Sequence, residues 1–349
     1  MDRLLIVAQV WLGLLGIAGV VAAAPALATE HALRVAAALA LTWVVSRIPI
    51  NTIVRLSPAA YVSILVLLVA VLAIGVAPAG SDAKRWLLIG NITVQPSEFM
   101  KVAVVAYLAT FFHNHLGDWQ IWRPMVVVGL AAGLVVAQPD VSTAMFLFAL
   151  AFGVMIAAGT TVVRLLSIVG SAGILAFAVG WPYLSQFGYL ADRITGFRDL
   201  WGAQSAIQST SYQAFRAREA LTSGGLVGIG PGRPIGVPEA ETDMIAVAIG
   251  QSFGLVGIVT LVGLYLLVGS RGFRIARARP GPGALLAAGA ATYLTGQAGL
   301  NLLVASGLFP ITGIPLPFVS YGLNSLLSVA IAFGLMHAAY REAFLKDDR

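Results

Sequence analysis

The chain has 349 residues, of which 59% are hydrophobic and 10% charged, with a formal net charge of +6 and a mean hydropathy of +0.90. Soluble domains carry about 25% charged residues, so this composition excludes a soluble globular protein and points to an integral membrane protein. With no cysteine, a disulfide framework and a thiolate metal site are excluded as well.

The apolar runs are too long for an outer-membrane barrel, whose strands alternate over about ten residues. A helical bundle follows. A hydrocarbon core takes about 20 residues of apolar helix, and the spans predicted in chain order are Leu4–Ala28, Ala32–Val45, Ala59–Ala77, Ser97–Phe112, Met125–Ala137, Val141–Gly159, Val163–Leu184, Met244–Gly269, Ala284–Phe309 and Phe318–Tyr340. The second and fifth are short. No small-residue cleavage site follows the first apolar core, so Leu4–Ala28 is expected to be a retained span. The fold class is therefore all-α, a single polytopic domain over residues 1–349 with about ten transmembrane helices.

Alternation from a cytoplasmic N-terminus puts Arg3, Arg47, Arg55, Arg123, Arg164, the Arg271–Arg279 cluster, Arg341, Lys346 and Arg349 inside. Lys84, Arg85, Arg193, Arg198, Arg216, Arg218 and Arg233 fall outside. The inside excess follows the positive-inside rule. Basic residues at span ends read as topology and anionic-lipid contact, not as a nucleic-acid surface. Both termini are then cytoplasmic, and the polar interval at about 185–243, between helices 7 and 8, is extracytoplasmic.

Ionisable residues near the membrane are the candidates for chemistry. Glu98 and Lys101 share one helix face; they form a packing ion pair, or Lys101 balances an anionic substrate. Asp140, in Gln138-Pro139-Asp140, is placed to cap the helix that starts at Val141. Lys84-Arg85-Trp86 joins two cations to an interfacial aromatic, as an anchor or as substrate contacts. His113-Asn114-His115 reads as a solvated pair on the cytoplasmic side. Ser205–Thr222 is compatible with a surface-lying helix. The turn Ser223-Gly224-Gly225 through Gly230 has the composition of a phosphate cradle without its Lys-Ser/Thr ending; a tight turn over a pocket explains it equally. Thr242 or Asp243 could cap the eighth span. A carboxylate delivered to the interface by a basic, glycine-broken loop also suits a general base.

Taken in order, Lys84-Arg85-Trp86, Gln95-Pro96-Ser97-Glu98-Phe99 with Lys101, Gln138-Pro139-Asp140, Tyr212-Gln213, Ser223-Gly224-Gly225 with Gly228-Ile229-Gly230, Pro238-Glu239 with Thr242-Asp243, and Gly313-Ile314-Pro315-Leu316-Pro317-Phe318-Val319-Ser320-Tyr321-Gly322 resemble the motifs of the SEDS proteins (RodA, FtsW, SpoVE). The resemblance covers about residues 84–328. It implies a peptidoglycan glycosyltransferase that polymerises lipid II at the outer face of the bacterial cytoplasmic membrane, alongside a class B penicillin-binding protein. It also implies that Asp243 is the essential loop aspartate and that Glu98, Lys101 and Asp140 are functional charges. The chain departs from the pattern at Met244-Ile245-Ala246, at Arg216-Ala217, at Leu323-Asn324 and at Gln251-Ser252. The last pair stands where the family has paired acids, which removes one metal or proton partner for Asp243.

The expected mechanism has Asp243 deprotonate the acceptor 4-hydroxyl, with undecaprenyl pyrophosphate as the leaving group. Lys84, Arg85, Lys101, Arg193, Arg198 and Arg216 are the candidates for holding its charge, with Glu98, Asp140 and Ser320 completing the substrate-binding set. A divalent cation such as Mg or Mn could share that task; the sequence offers no ligand set for it. The competing classes are a flippase for a lipid-linked precursor and a non-catalytic scaffold that binds lipid II and its transpeptidase. Residues 238–242 lean toward the division type of the family and 311–315 toward the elongation type.

Overall fold

The computed structural model describes residues 1–77, 83–115, 121–167, 170 and 212–345. Over these the helices are α1 (Arg3–Ala23), α2 (Ala28–Arg47), α3 (Ile50–Ile74), α4 (Pro96–Asn114), α5 (Trp122–Val136), α6 (Val141–Ala157), α7 (Tyr212–Gly224), α8 (Ile245–Ala278), α9 (Pro282–Ala305) and α10 (Leu323–Phe344). A further helical stretch covers residues 162–167. The predicted span Val163–Leu184 and the first part of the polar interval lie mostly outside the described residues.

The all-α membrane bundle follows from residue chemistry. α1, α3, α8 and α10 are long and apolar enough to cross a membrane, and α5 and α6 are shorter apolar helices. α8 packs on α1 and α9, α10 on α2 and α9, and α3 on α4. Two hydrophobic clusters result, one among α1, α2, α8, α9 and α10 and one among α3 to α6. They meet where α9 lies against α4 and α6. Gly289 of α9 makes that approach possible, because a Cβ there would sit 2.9 Å from Val154 Cγ2 and closer still to Val105. Small residues at such crossings let backbones approach in a solvent without a hydrophobic driving force.

Several boundaries differ from the sequence expectation. α2 begins at Ala28, not Ala32, so that Glu30 and Arg34 belong to its first two turns. α3 begins at Ile50 and runs through Pro58. Proline frees the carbonyl four residues earlier, and the Ser57 hydroxyl donates to that Val54 oxygen at 3.0 Å. α8 continues past Gly269 to Ala278, whereas α10 starts at Leu323 rather than Phe318. Between α3 and α4 a small hairpin appears, β1 (Leu87–Ile89) paired antiparallel with β2 (Ile92–Val94), with Leu88 opposite Thr93. Its signal is Gly90-Asn91 between two apolar runs, masked in the sequence by the dominant helical pattern.

The glycine-rich turn has a structural task. α8 is interrupted at Gly254, whose φ is +65°, about 14 Å along the helix from Ile245 at 1.5 Å per residue. Such a break frees backbone groups that lipid cannot satisfy. Residues 225–230 satisfy them: Leu255 N donates to Gly225 O at 2.9 Å, Ile229 N to Gln251 O at 3.0 Å and Gly230 N to Ser252 O at 3.1 Å. A Cβ on Gly228 would collide with the Ser252 carbonyl. α7 lies along the first half of α8, burying Ala214, Ala217, Ala220 and Gly224. The second half of the polar interval thus includes a helix lying on α8 with one face exposed, like the surface-lying helix expected there, and a turn that closes the α8 break.

Candidate active site

The ends of α2, α4, α6, α8 and α10 that share one side of the bundle surround a cavity of about 970 Å³. Asp243 reaches it from the approach to α8. The N-cap of α8 is Met244, with no side-chain capping bond, and the Thr242 hydroxyl is 2.8 Å from Glu239 Oε2. The half-buried Asp243 side chain lies against Gly313, where a Cβ would stand 3.3 Å from Oδ2. Gly313 has φ +73°, so both its backbone and the carboxylate call for glycine.

The backbone that carries Asp243 is held from two directions. Asn301 Nδ2 donates to Asp243 O at 2.7 Å and to Ile314 O at 2.9 Å. Ser320 Oγ donates to Thr242 O at 2.7 Å and accepts from Leu316 N at 2.7 Å. One turn below Asn301 on α9, Gln297 Nε2 donates to Pro315 O at 2.8 Å. Sequence reasoning misses Asn301 and Gln297. Their signal is two amides four apart in an apolar span, which belong on one helix face. Ser320, expected to touch substrate, is buried and serves as a brace for the 242–243 segment instead.

The other candidates divide by position. Arg85 lines the cavity and anchors the Gln138-Pro139-Asp140 turn, donating Nε to Gln138 O at 3.2 Å and Nη2 to Pro139 O. Asp140 accepts from Thr143 N at 3.2 Å, so it caps α6 while lining the cavity. Glu98 also lines it. Lys101 does not: it is 1% exposed, with Nζ 2.7 Å from Glu98 Oε1, 2.8 Å from Gln297 Oε1 and 5.3 Å from the centre of the Tyr293 ring. The packing ion pair is the reading that geometry favours, because a buried ammonium with three such partners has no room for a ligand. Lys84 is exposed and away from the cavity lining. Arg216 is spent on Gly236 O at 3.0 Å and Glu219 Oε2 at 2.6 Å, also off the lining. Arg193 and Arg198 lie outside the described residues. Gln251 and Ser252 border the α8 break and not the cavity, so the missing acid pair is not a gap in its described wall.

Sequence reasoning misses a further group. Glu30, Arg34 and Tyr321 line the cavity as well. Glu30 pairs with Arg34, Tyr321 donates its hydroxyl to Glu30 Oε2 at 2.7 Å, and the Arg34 guanidinium lies 4.3 Å over the Tyr321 ring. Burial and the Glu30 bond push the Tyr321 hydroxyl above its ordinary value, keeping it a neutral donor. Starting the second span at Ala32 hides this trio, because Arg34 then falls inside a span and Glu30 in a connector. Among the described lining residues the carboxylates are Glu30, Glu98, Asp140, Glu239 and Asp243, and the cations are Arg34 and Arg85. No three His, Asp or Glu side chains among the described residues converge on a metal-sized site.

Comparison with known proteins agrees with this architecture. The cell cycle protein family of FtsW, RodA and SpoVE matches residues 11–344. A probable peptidoglycan glycosyltransferase FtsW of Thioalkalivibrio sp. (strain K90mix) is 33% identical over 327 residues, covering 90% of this chain and 80% of that protein. One from Bacillus subtilis is 34% identical over 270 residues, covering 73% and 66%. Among solved structures, a chain from a peptidoglycan synthase complex, studied for its coordination of polymerization and crosslinking, superposes with a TM-score of 0.82 at 26% identity over 99% of both chains. The Thermus thermophilus rod shape determining protein RodA superposes with a TM-score of 0.73 at 24% identity, over 99% of this chain and 98% of that one, a likeness of fold. On its motifs, its fold and these relatives, the chain belongs to the FtsW/RodA/SpoVE family of multi-pass membrane proteins.

Proposed function

We propose that this protein is a peptidoglycan glycosyltransferase that polymerises lipid II, with Asp243 as the general base. The observation that carries the reading is the shared cavity: one carboxylate, held through its backbone by Asn301 and Ser320, faces the same space as two guanidiniums. In the reaction, Asp243 takes the proton of the acceptor 4-hydroxyl. That oxygen attacks the anomeric carbon of the growing glycan, and the bond from that carbon to the lipid diphosphate breaks with its electron pair. A diphosphate leaves without protonation, so a single carboxylate suffices where glycosidases need two. Cations lining the cavity offset the charge that gathers on it. No step is routed through a metal ion.

The charges cluster at one end of the bundle, which suits surface chemistry better than the midplane site of a transporter. The opposite end carries Arg271, Arg277 and Arg279, which by the positive-inside rule faces the cytoplasm and leaves the cavity outside. The likeness to a chain of a peptidoglycan synthase complex supports a crosslinking partner of the class B penicillin-binding type. The test is polymerisation of purified lipid II with that partner present. Asp243→Ala that is folded and inserted should make no glycan, and full activity in that variant would end the general-base role.

A further inference from the structure

At the end of the bundle away from Asp243, a second cavity of about 420 Å³ opens where α1, α8 and α10 meet. Its lining includes Asp2, Arg3, Leu4, Arg271, Tyr340 and Leu345. One guanidinium is fixed in its wall. Arg271 Nε donates to Asp2 Oδ2 at 3.1 Å, and Nη2 donates to the same oxygen. Asp2 is held in turn: its Oδ1 accepts from Leu5 N at 3.0 Å, and its own amide donates to His337 Nδ1 at 3.2 Å. The Asp2 side chain is 1% exposed and that of Arg271 16%. The carboxylate is thus sealed behind a guanidinium whose remaining donors are free for a ligand.

Charge in this cavity is not balanced. Asp2 offsets Arg271, while Arg3 is exposed and holds no ion pair among the described residues. Arg274, three residues along α8 and so on the same face as Arg271, is exposed as well. Asp2 is the one carboxylate in the described lining. The cavity therefore suits an anion and offers nothing to an ammonium group. An apolar surface leads away from it. Leu4, in the lining, begins a row of exposed side chains on α1 that continues with Val7, Trp11 and Leu14. Their spacing of three and four residues puts them on one face. The arginines at 271, 274, 277 and 279 turn this end toward the cytoplasm by the positive-inside rule. The cavity then lies at the headgroup level of the inner leaflet.

We propose that this cavity is a binding site for an anionic phospholipid of the inner leaflet. Arg271, Arg3 and the Tyr340 hydroxyl hold the phosphodiester, and an acyl chain lies along Leu4, Val7 and Trp11. A phosphodiester accepts charge-assisted bonds from the free edge of Arg271, and basic pockets between helices on the cytoplasmic side suit such headgroups. A zwitterionic lipid brings the same phosphate with an ammonium that finds no carboxylate, because Asp2 is spent on Arg271. A lipid bound there ties α1 to α8 and α10 and stabilises the folded chain. The site is separate from the Asp243 cavity, and the glycosyltransferase reading does not depend on it.

The experiment offers the purified protein in detergent equal amounts of phosphatidylglycerol and phosphatidylcholine with the same acyl chains. Native mass spectrometry counts the lipid retained, and thermal melting is followed with each lipid alone. Phosphatidylglycerol should be retained in preference and should raise the melting temperature more than phosphatidylcholine does. Arg3→Gln and Arg274→Gln, both at exposed positions, should each weaken its binding about fivefold, the worth of one basic residue near an anionic surface. The melting temperature of the lipid-free protein should not move in either variant. Lys84→Gln removes one charge from the Asp243 end of the bundle and should leave the lipid bound. The proposal fails if both lipids are retained equally, or if the double variant Arg3→Gln, Arg274→Gln keeps phosphatidylglycerol as tightly. It fails also if Lys84→Gln loses the lipid to the same degree. Inorganic phosphate that stabilises the lipid-free protein as much as phosphatidylglycerol, with the same dependence on Arg3, would make the ligand a soluble anion and overturn the lipid site.

Discussion

Asp243, the general base proposed above, shows how little of such a group's placement lies in the group itself. The backbone that carries its carboxylate is held by Asn301 of a neighbouring helix, which donates to Asp243 O and Ile314 O, and by the Ser320 hydroxyl, which donates to Thr242 O. Asn is isosteric with Asp but no base at neutral pH, so Asp243→Asn should lower the polymerisation rate about 10²–10⁴-fold, the usual share of general-base catalysis, with lipid II affinity kept. Asn301→Leu leaves the Asp243 and Ile314 carbonyls without their donor and lets the base drift. The expected outcome is a fall in kcat with little change in KM, measured as glycan formed against lipid II concentration, and partial recovery in Asn301→Gln. A parallel loss of folded protein in both variants would count instead for a structural role. Gly313→Ala places a methyl against Asp243 Oδ2 in a left-handed backbone, and should impair turnover more than it impairs yield.

At the scale of elements, two features hold the bundle in register. The Glu98–Lys101 pair ties α4 to α9 through Gln297 and to α10 through Ser328, whose hydroxyl is 3.4 Å from Glu98 Oε2. Removing one member of a buried pair strands the other charge. Lys101→Met alone should therefore cost about 3–5 kcal/mol, while the double variant Glu98→Gln, Lys101→Met should recover most of it. Thermal inactivation in detergent reads both. The second feature is the seam between the glycine turn and the interrupted α8. Gly228→Ala puts a Cβ into the Ser252 carbonyl at φ +85° and should reduce folded yield sharply. Gly232→Ala, where a Cβ meets nothing within 4 Å, should be silent.

For the whole molecule, the distribution of charge predicts an orientation. The chain lacks cysteine, so single cysteines report sidedness without background. Asn91→Cys, in the hairpin on the cavity rim, should react with a membrane-impermeant maleimide added to intact spheroplasts. Arg277→Cys, at the far end of α8, should react only once the membrane is opened or inverted. The reverse pattern would put the cavity in the cytoplasm, where a polymerase of exterior glycan could not work.

The sequence by itself determined the class of protein, the number and order of most spans and the family. Hydrophobic run length and positive-inside bias act locally along the chain, and seven short motifs in order are hard to meet by chance. It also singled out Asp243, Arg85, Glu98 and Asp140, four residues that line one cavity in the structure. It did not show that Lys101 is sealed, that Ser320 and Asn301 brace the 242–243 segment, or that the glycine turn closes a broken helix. Each of those depends on contacts between residues distant in the chain, such as Lys101 with Gln297, 196 positions away, set by how the helices cross. Glu30 and Arg34 are the clearest case. On paper they are an i,i+4 pair at a helix start, and only the packing of α2 against α10 lays Arg34 on Tyr321 and opens the pair toward the cavity that Asp243 faces.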